Sequence, residues 1–261
     1  MTTATVVRRE FSCARKVMIR DPQAAFFTIG LPLLYLFIFA TVFGSETGHI
    51  RGQAGVLKGS MLMVASVIVI GVVSAAFQSL AATLVADREH GVLKRLRSTP
   101  LPTPALLAGS VLNAMLTALA LTALVIVLGR VVYNVPLPLG HVLAATVTVI
   151  LGTFTCCALG CLFTIAIRKA TAATPMLFAV TLTLFFLSGN FFSTDQAPAA
   201  LRDIAEVFPV RHFLGAMITA FNPNTGGMGF AWPDLAIIAV WGLAGAALAT
   251  RTFRWTPVGD D

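Results

Sequence analysis

A chain of 261 residues that is 57% hydrophobic and only 11% charged falls far below the roughly 25% of charged residues found in soluble domains. Its bulk is made for lipid, and an ordinary soluble enzyme or binding domain is excluded. The net charge of +7 therefore has to be read by its position along the chain before any polyanion is invoked.

Residues 5–20 pattern as an amphipathic helix. Val7, Phe11, Ala14 and Met18 share one side, while Arg8, Arg9, Arg15, Lys16 and Arg20 occupy the other. Such a helix lies in the membrane interface with its cations among anionic headgroups, and Asp21-Pro22 then turns the chain inward. Residues 1–22 are thus read as an interfacial N-terminal helix. Six charge-free runs follow, near 24–43, 61–83, 106–128, 142–167, 173–192 and 235–250. At 1.5 Å per residue each reaches roughly 24–39 Å, against a hydrocarbon core of about 30 Å. None has the period of two that a membrane barrel requires. Trp232 and Trp255 flank the last and shortest run at headgroup depth, which favours a crossing. The first run is longer than a signal core and no A-x-A-like site follows it near Phe43, so it is expected to remain as an anchor.

The expected fold is an all-α polytopic membrane protein of six helices, a single transmembrane domain over residues 1–261 with both termini on one side. Thirteen of the 18 Lys and Arg residues fall on that side and five on the other, Arg51, Lys58, Arg130, Arg202 and Arg211. By the positive-inside rule the first side is cytoplasmic; the expected location is the plasma membrane. Orientation accounts for the basic charge, so no nucleic-acid partner is implied. Cys156, Cys157 and Cys161 lie within one apolar run. Adjacent helix positions point about 100° apart, so these thiols suit packing better than a metal.

Two segments outside the bilayer carry pattern. The loop at 87–104 reads as a short amphipathic peg, with Val92, Leu93 and Leu96 on one face and Lys94, Arg95 and Arg97 around it; Pro100, Pro102 and Pro104 are expected to end it. Leucines on a charged helix point to a partner surface, beside the plain alternative of a solvated connector. The connection at 193–233 holds Leu201, Ile204, Ala205 and Phe208 at helical spacing, then a second apolar helix near 210–221. Each is about half the length of a span, which suggests two re-entrant or interfacial helices capping the outer end.

The stretch Asp87-Arg88-Glu89-His90-Gly91-Val92-Leu93-Lys94-Arg95-Leu96-Arg97-Ser98-Thr99-Pro100 resembles the signature loop of type-two ABC exporter permeases, in the places of Glu89, Gly91, Leu93, Leu96 and Pro100. The order of a basic N-terminal helix, six spans and a long connection containing Ser188-Gly189-Asn190 and Phe208-Pro209 is also similar, and the layout is nearest to daunorubicin and multidrug exporters. His90 and Lys94 depart from the usual acidic or polar residues there. The resemblance implies a homodimer or pseudo-dimer of permeases on two ATPase subunits. Asp87, Arg88, Glu89, Gly91, Leu93, Leu96, Arg97 and Pro100 would form the coupling element. Phe191, Phe192, Leu201 and Phe208 become candidates for an outer gate.

No G-x-x-x-x-G-K-[ST] occurs, so the chain is not expected to be an enzyme; ATP and Mg belong to a partner, and no cofactor is assigned to this chain. The spans also lack Asp, Glu, Lys and Arg of the kind that relay ions. Gln78, Asn113 and Asn190 either line a translocation path or bond between helices. Gly71, Ala75, Ser79 and Thr83, like Gly152, Cys156, Gly160 and Thr164, make small-residue ridges suited to close packing. The reading is a permease subunit exporting a lipophilic or amphipathic compound, such as a drug, antibiotic or lipid-like molecule. Its rivals are a permease for polysaccharide or lipid-linked glycan, a membrane scaffold, and a secondary transporter.

Overall fold

The computed structural model describes residues 26–43, 47–49, 56–92, 103–136, 138–167, 169–190 and 199–252. The expected interfacial helix at the N-terminus lies outside these residues. In chain order, a π-helical turn Phe26–Gly30 leads into α1 (Leu31–Phe43). Then come α2 (Gly59–Val73), a π-helical segment Ser74–Ser79 and α3 (Leu80–Glu89). After these follow α4 (Thr103–Tyr133), α5 (Val142–Phe163), α6 (Ala170–Ser188), α7 (Ala199–Val207), α8 (Pro209–Phe221) and α9 (Trp232–Thr252).

The molecule is helical, as its composition requires. The exception among the described residues is a short antiparallel ribbon between α1 and α2, where Thr47 pairs with Lys58 and His49 with Val56. Strands of three residues are too short to leave a readable period. Among the described residues, five helices are long and apolar enough to cross a membrane: the continuous 31-residue rod Gly59–Glu89, α4, α5, α6 and α9. The first expected run is described only from Phe26 onward, as the π-helical turn and the thirteen residues of α1.

Several boundaries differ from the expected ones, each for a local reason. Span two does not stop near Thr83; it continues to Glu89 because nothing in Leu84–Arg88 breaks a helix. Span five ends at Ser188 and not at Phe192. Gly189 takes the left-handed conformation (φ 81°) and the Asn190 amide bonds back to the Phe185 carbonyl, a Schellman-type stop. Pro104, expected to end a cytoplasmic helix, is instead the second residue of α4, where its missing N–H costs nothing. The last span, expected to be the shortest, is a 21-residue helix.

The second span is the hub. Valine and isoleucine surround its whole circumference, and a helix apolar on every side is stable only when covered on every side. Thirteen of the fifteen α2 residues are buried, against α1, α4, α5 and α8. The outer helices do the reverse. Val127 on α4, Phe178 on α6 and Val240 and Leu243 on α9 are exposed, as suits a lipid solvent no more polar than leucine itself.

Small residues set how closely the helices approach. A Cβ on Gly152 would lie 2.7 Å from the ring of Phe213 on α8, and one on Gly160 would lie 3.1 Å from the main-chain oxygen of Phe77. The second contact cannot relax by turning a side chain, because the opposing atom is backbone. Thr155 on α5 donates its hydroxyl to the Ile238 carbonyl on α9 at 2.9 Å, and Gly242 leaves room for that pair. Gly160→Val is therefore expected to destabilise the protein by about 1–3 kcal/mol through overpacking. Thermal unfolding of the purified protein in detergent checks this, and an unchanged melting temperature would contradict the packing.

Candidate functional site

The site expected to meet a partner begins in the last turn of α3. Asp87, Arg88 and Glu89 are still part of the helix that spans the membrane, so the expected separate peg does not start at Asp87. The helix ends at Glu89, and Gly91 takes the left-handed conformation at φ 69°. A Cβ there would meet nothing within 4 Å, so glycine is favoured by backbone conformation and not by lack of room. Leu93, Leu96, Arg97 and Pro100 lie outside the described residues.

Arg88 is the clearest correction. Expected to face a partner, it is only 3% exposed. Its guanidinium turns inward, donating from Nη1 to the Thr164 carbonyl at 3.0 Å and from Nη2 to the Ile167 carbonyl. The physical reason lies at the end of α5. That helix stops at Phe163 and runs on as turns in which the Thr164 carbonyl already accepts from the Ile167 amide at 3.3 Å, so the buried connection offers carbonyls with spare acceptor capacity where water is scarce. A planar, permanently charged fork reaches two of them at once.

Glu89 does the complementary job for the next helix. α6 begins after Lys169, whose side chain makes no capping bond. The Ala170 amide donates instead to Glu89 Oε2 at 2.5 Å, so a carboxylate from another helix sits at the positive end of the α6 dipole. Two consecutive residues thus clasp the connection between α5 and α6, one through its carbonyls and one through its first amide. This clasp was not legible in the sequence. Arg88 and Thr164 are 76 positions apart.

The three amides do not converge. Gln78 is half-buried in the π-helical segment, and Asn113 is half-buried on α4, which packs against that segment. Asn190 follows the far end of α6, opposite the clasp. It is 4% exposed; its Nδ2 donates to Ser188 Oγ at 2.7 Å, while its buried Oδ1 has no partner among the described residues. A π-bulge commonly marks a functional segment of a helix, and it places Gln78 within the hub.

At the end opposite the clasp, α7 and α8 meet at Phe208, which is half-buried in extended conformation before Pro209 starts α8. Leu201 lies on α7, and Phe191 and Phe192 lie outside the described residues. This pair of helices is no loose cover. Phe213, Leu214 and Met217 of α8 are buried in the main core. Arg211 donates to the Ser188 carbonyl at 3.3 Å, and Trp241 of α9 donates its indole N–H to the Val207 carbonyl at 2.9 Å.

The clasp lies at the start of the segment that resembles the type-two permease signature, and Glu89 belongs to both. The profile of the ABC-2 type transporter family matches residues 2–222. The chain belongs to that family. No individual curated protein matches it. As an ABC-2 permease it is a multi-pass membrane subunit of an ABC transporter, and membership implies an ABC ATPase as partner. The match takes in the clasp and the α7–α8 cap and ends at Asn222, before α9.

Arg88→Met keeps the length of the side chain and removes the fork. The loss of charged hydrogen bonds to two buried carbonyls is expected to cost about 1.5–3 kcal/mol. A lower melting temperature and faster amide exchange confined to residues 164–170 check this, and unchanged exchange there would show that the clasp does not hold the connection.

Proposed function

We propose that this ABC-2 permease is the membrane half of an ATP-driven exporter that carries a lipophilic or amphipathic compound out of the cytoplasm. It works as a pair of identical subunits on two copies of a separate ATPase that binds ATP and Mg. Both termini and the loop at 87–104 are cytoplasmic, by the excess of Lys and Arg on that side.

The observation that carries the reading is the clasp. Leu93, Leu96 and Pro100 of the signature segment follow Glu89 after the left-handed Gly91. A displacement of that segment by the ATPase is passed to two places. One is the rigid rod Gly59–Glu89, the covered hub of the molecule. The other is the start of α6, through Glu89 and the Ala170 amide. Movement of a short cytoplasmic segment is thereby shared among the second, fourth and fifth spans. Spans free of Asp, Glu, Lys and Arg in their apolar runs support an apolar or amphipathic cargo, since a route for a strongly charged one would need polar walls.

Two measurements test this. In vesicles holding the permease and its ATPase, Glu89→Gln and Gly91→Pro are expected to lower ATP-dependent efflux of a lipophilic dye at least about fivefold, the lower end of typical coupling between sites. The amount of permease and of bound ATPase should not change. Normal efflux from both variants would remove the coupling role, and efflux driven by a proton gradient without the ATPase would remove the reading altogether. In intact cells, Arg95→Cys should resist a membrane-impermeant maleimide; labelling from outside would reverse the orientation.

A further inference from the structure

The cap at the end opposite the clasp contains an ionisable cluster that neither the family match nor the coupling reading uses. His212 lies in the first turns of α8, between two other elements. Its Nδ1 is 2.7 Å from Asp234 Oδ1, in the first turn of α9. Its Nε2 is 2.7 Å from the main-chain oxygen of Glu206, in α7. Gly215, one turn further along α8, makes space for the carboxylate: a Cβ there would lie 3.1 Å from Asp234 Oδ2.

Both partners of the ring are acceptors. A main-chain carbonyl has no proton to give, so Nε2 must carry one to bond to Glu206. In a neutral imidazole Nδ1 then presents a lone pair to a carboxylate, which is repulsive. Both contacts are made only when the His212–Asp234 pair holds one further proton. We propose that His212 is a proton-binding clamp that ties α7 and α9 to α8, complete when protonated and half released when not.

The surroundings favour the charged form. The hydrogen bond to Asp234 is the main influence raising the His212 pKa above its ordinary 6.5; partial burial opposes it, the Glu206 carbonyl and the Asp234 charge add to it, and neighbouring Arg211 opposes it. The other helices packed on α8 are α2, α5 and α6. α2 and α6 have no ionisable side chain, and α5 has only its three buried cysteines. Because the folded-state pKa is raised, the clamp's contribution is complete below about pH 6.5 and is lost as pH rises through the higher folded value. On the proposed orientation the clamp samples the pH outside the cell, but its titration does not depend on which face it occupies.

The test follows the ring resonances of the four histidines by NMR in the intact permease in lipid nanodiscs. His212 is assigned by its loss in His212→Gln. Should that variant not assemble, His49→Gln, His90→Gln and His141→Gln assign it by elimination. The expected midpoint lies above 6.5, and Asp234→Asn is expected to weaken proton binding about tenfold. The melting temperature of the wild type should fall more between pH 5.5 and 8.5 than that of His212→Gln. A wild-type midpoint at or below 6.5 overturns the clamp, whether or not the Asp234 variant folds. So does a midpoint that Asp234→Asn leaves in place. Neither result bears on ATP-driven export, which is read in separate vesicles.

Discussion

Backbone polar groups without water are the constraint from which the arrangement follows. Inside a span the helix satisfies them, but where one helix ends and the next begins within the protein a donor or acceptor must come from elsewhere. At the junction of α5 and α6 it comes from α3. Arg88 supplies donors to the Thr164 and Ile167 carbonyls, and Glu89 an acceptor to the Ala170 amide. A charge that would be costly in an apolar interior is here the means of making a helix end tolerable. The same two residues thereby join the end of the second span to the connection between the fourth and fifth.

The second span can carry that connection because it is enclosed. Its all-round valine and isoleucine surface is covered by α1, α4, α5 and α8, and the close approach at Gly160 places backbone against backbone. A well-packed interior is not continuously deformable, so a push at one end moves the unit or does nothing. The π-helical segment Ser74–Ser79 lies within this rod, at the contact with α5.

The two ends of the molecule therefore differ in kind. At one, a permanently charged guanidinium and a carboxylate secure a connection between two helices. At the other, the cap of α7 and α8 is stitched to α6 and α9 by Arg211, Trp241 and His212, and the Asp234 hydrogen bond raises the pKa of the last above its ordinary value.

What the residues determine unaided is what depends on local composition. Charge-free runs longer than a bilayer is thick can only be buried in lipid or protein, so the helical membrane class and most spans were legible. So was the pair of short helices after the fifth span, because Leu201, Ile204 and Ala205 repeat at helical spacing. The glycine ridges were legible too, since only small residues allow such proximity. Contacts between residues far apart in the chain left no comparable trace. Arg88 looked like any cation of a cytoplasmic loop, and only the tertiary structure decided that it turns inward. His212 and Asp234 lie 22 positions apart in segments that carry no shared motif. Periodicity and charge report which side of an element meets which solvent, whereas the partner of a buried polar group is fixed by how helices cross, and that emerges only once the whole chain has packed.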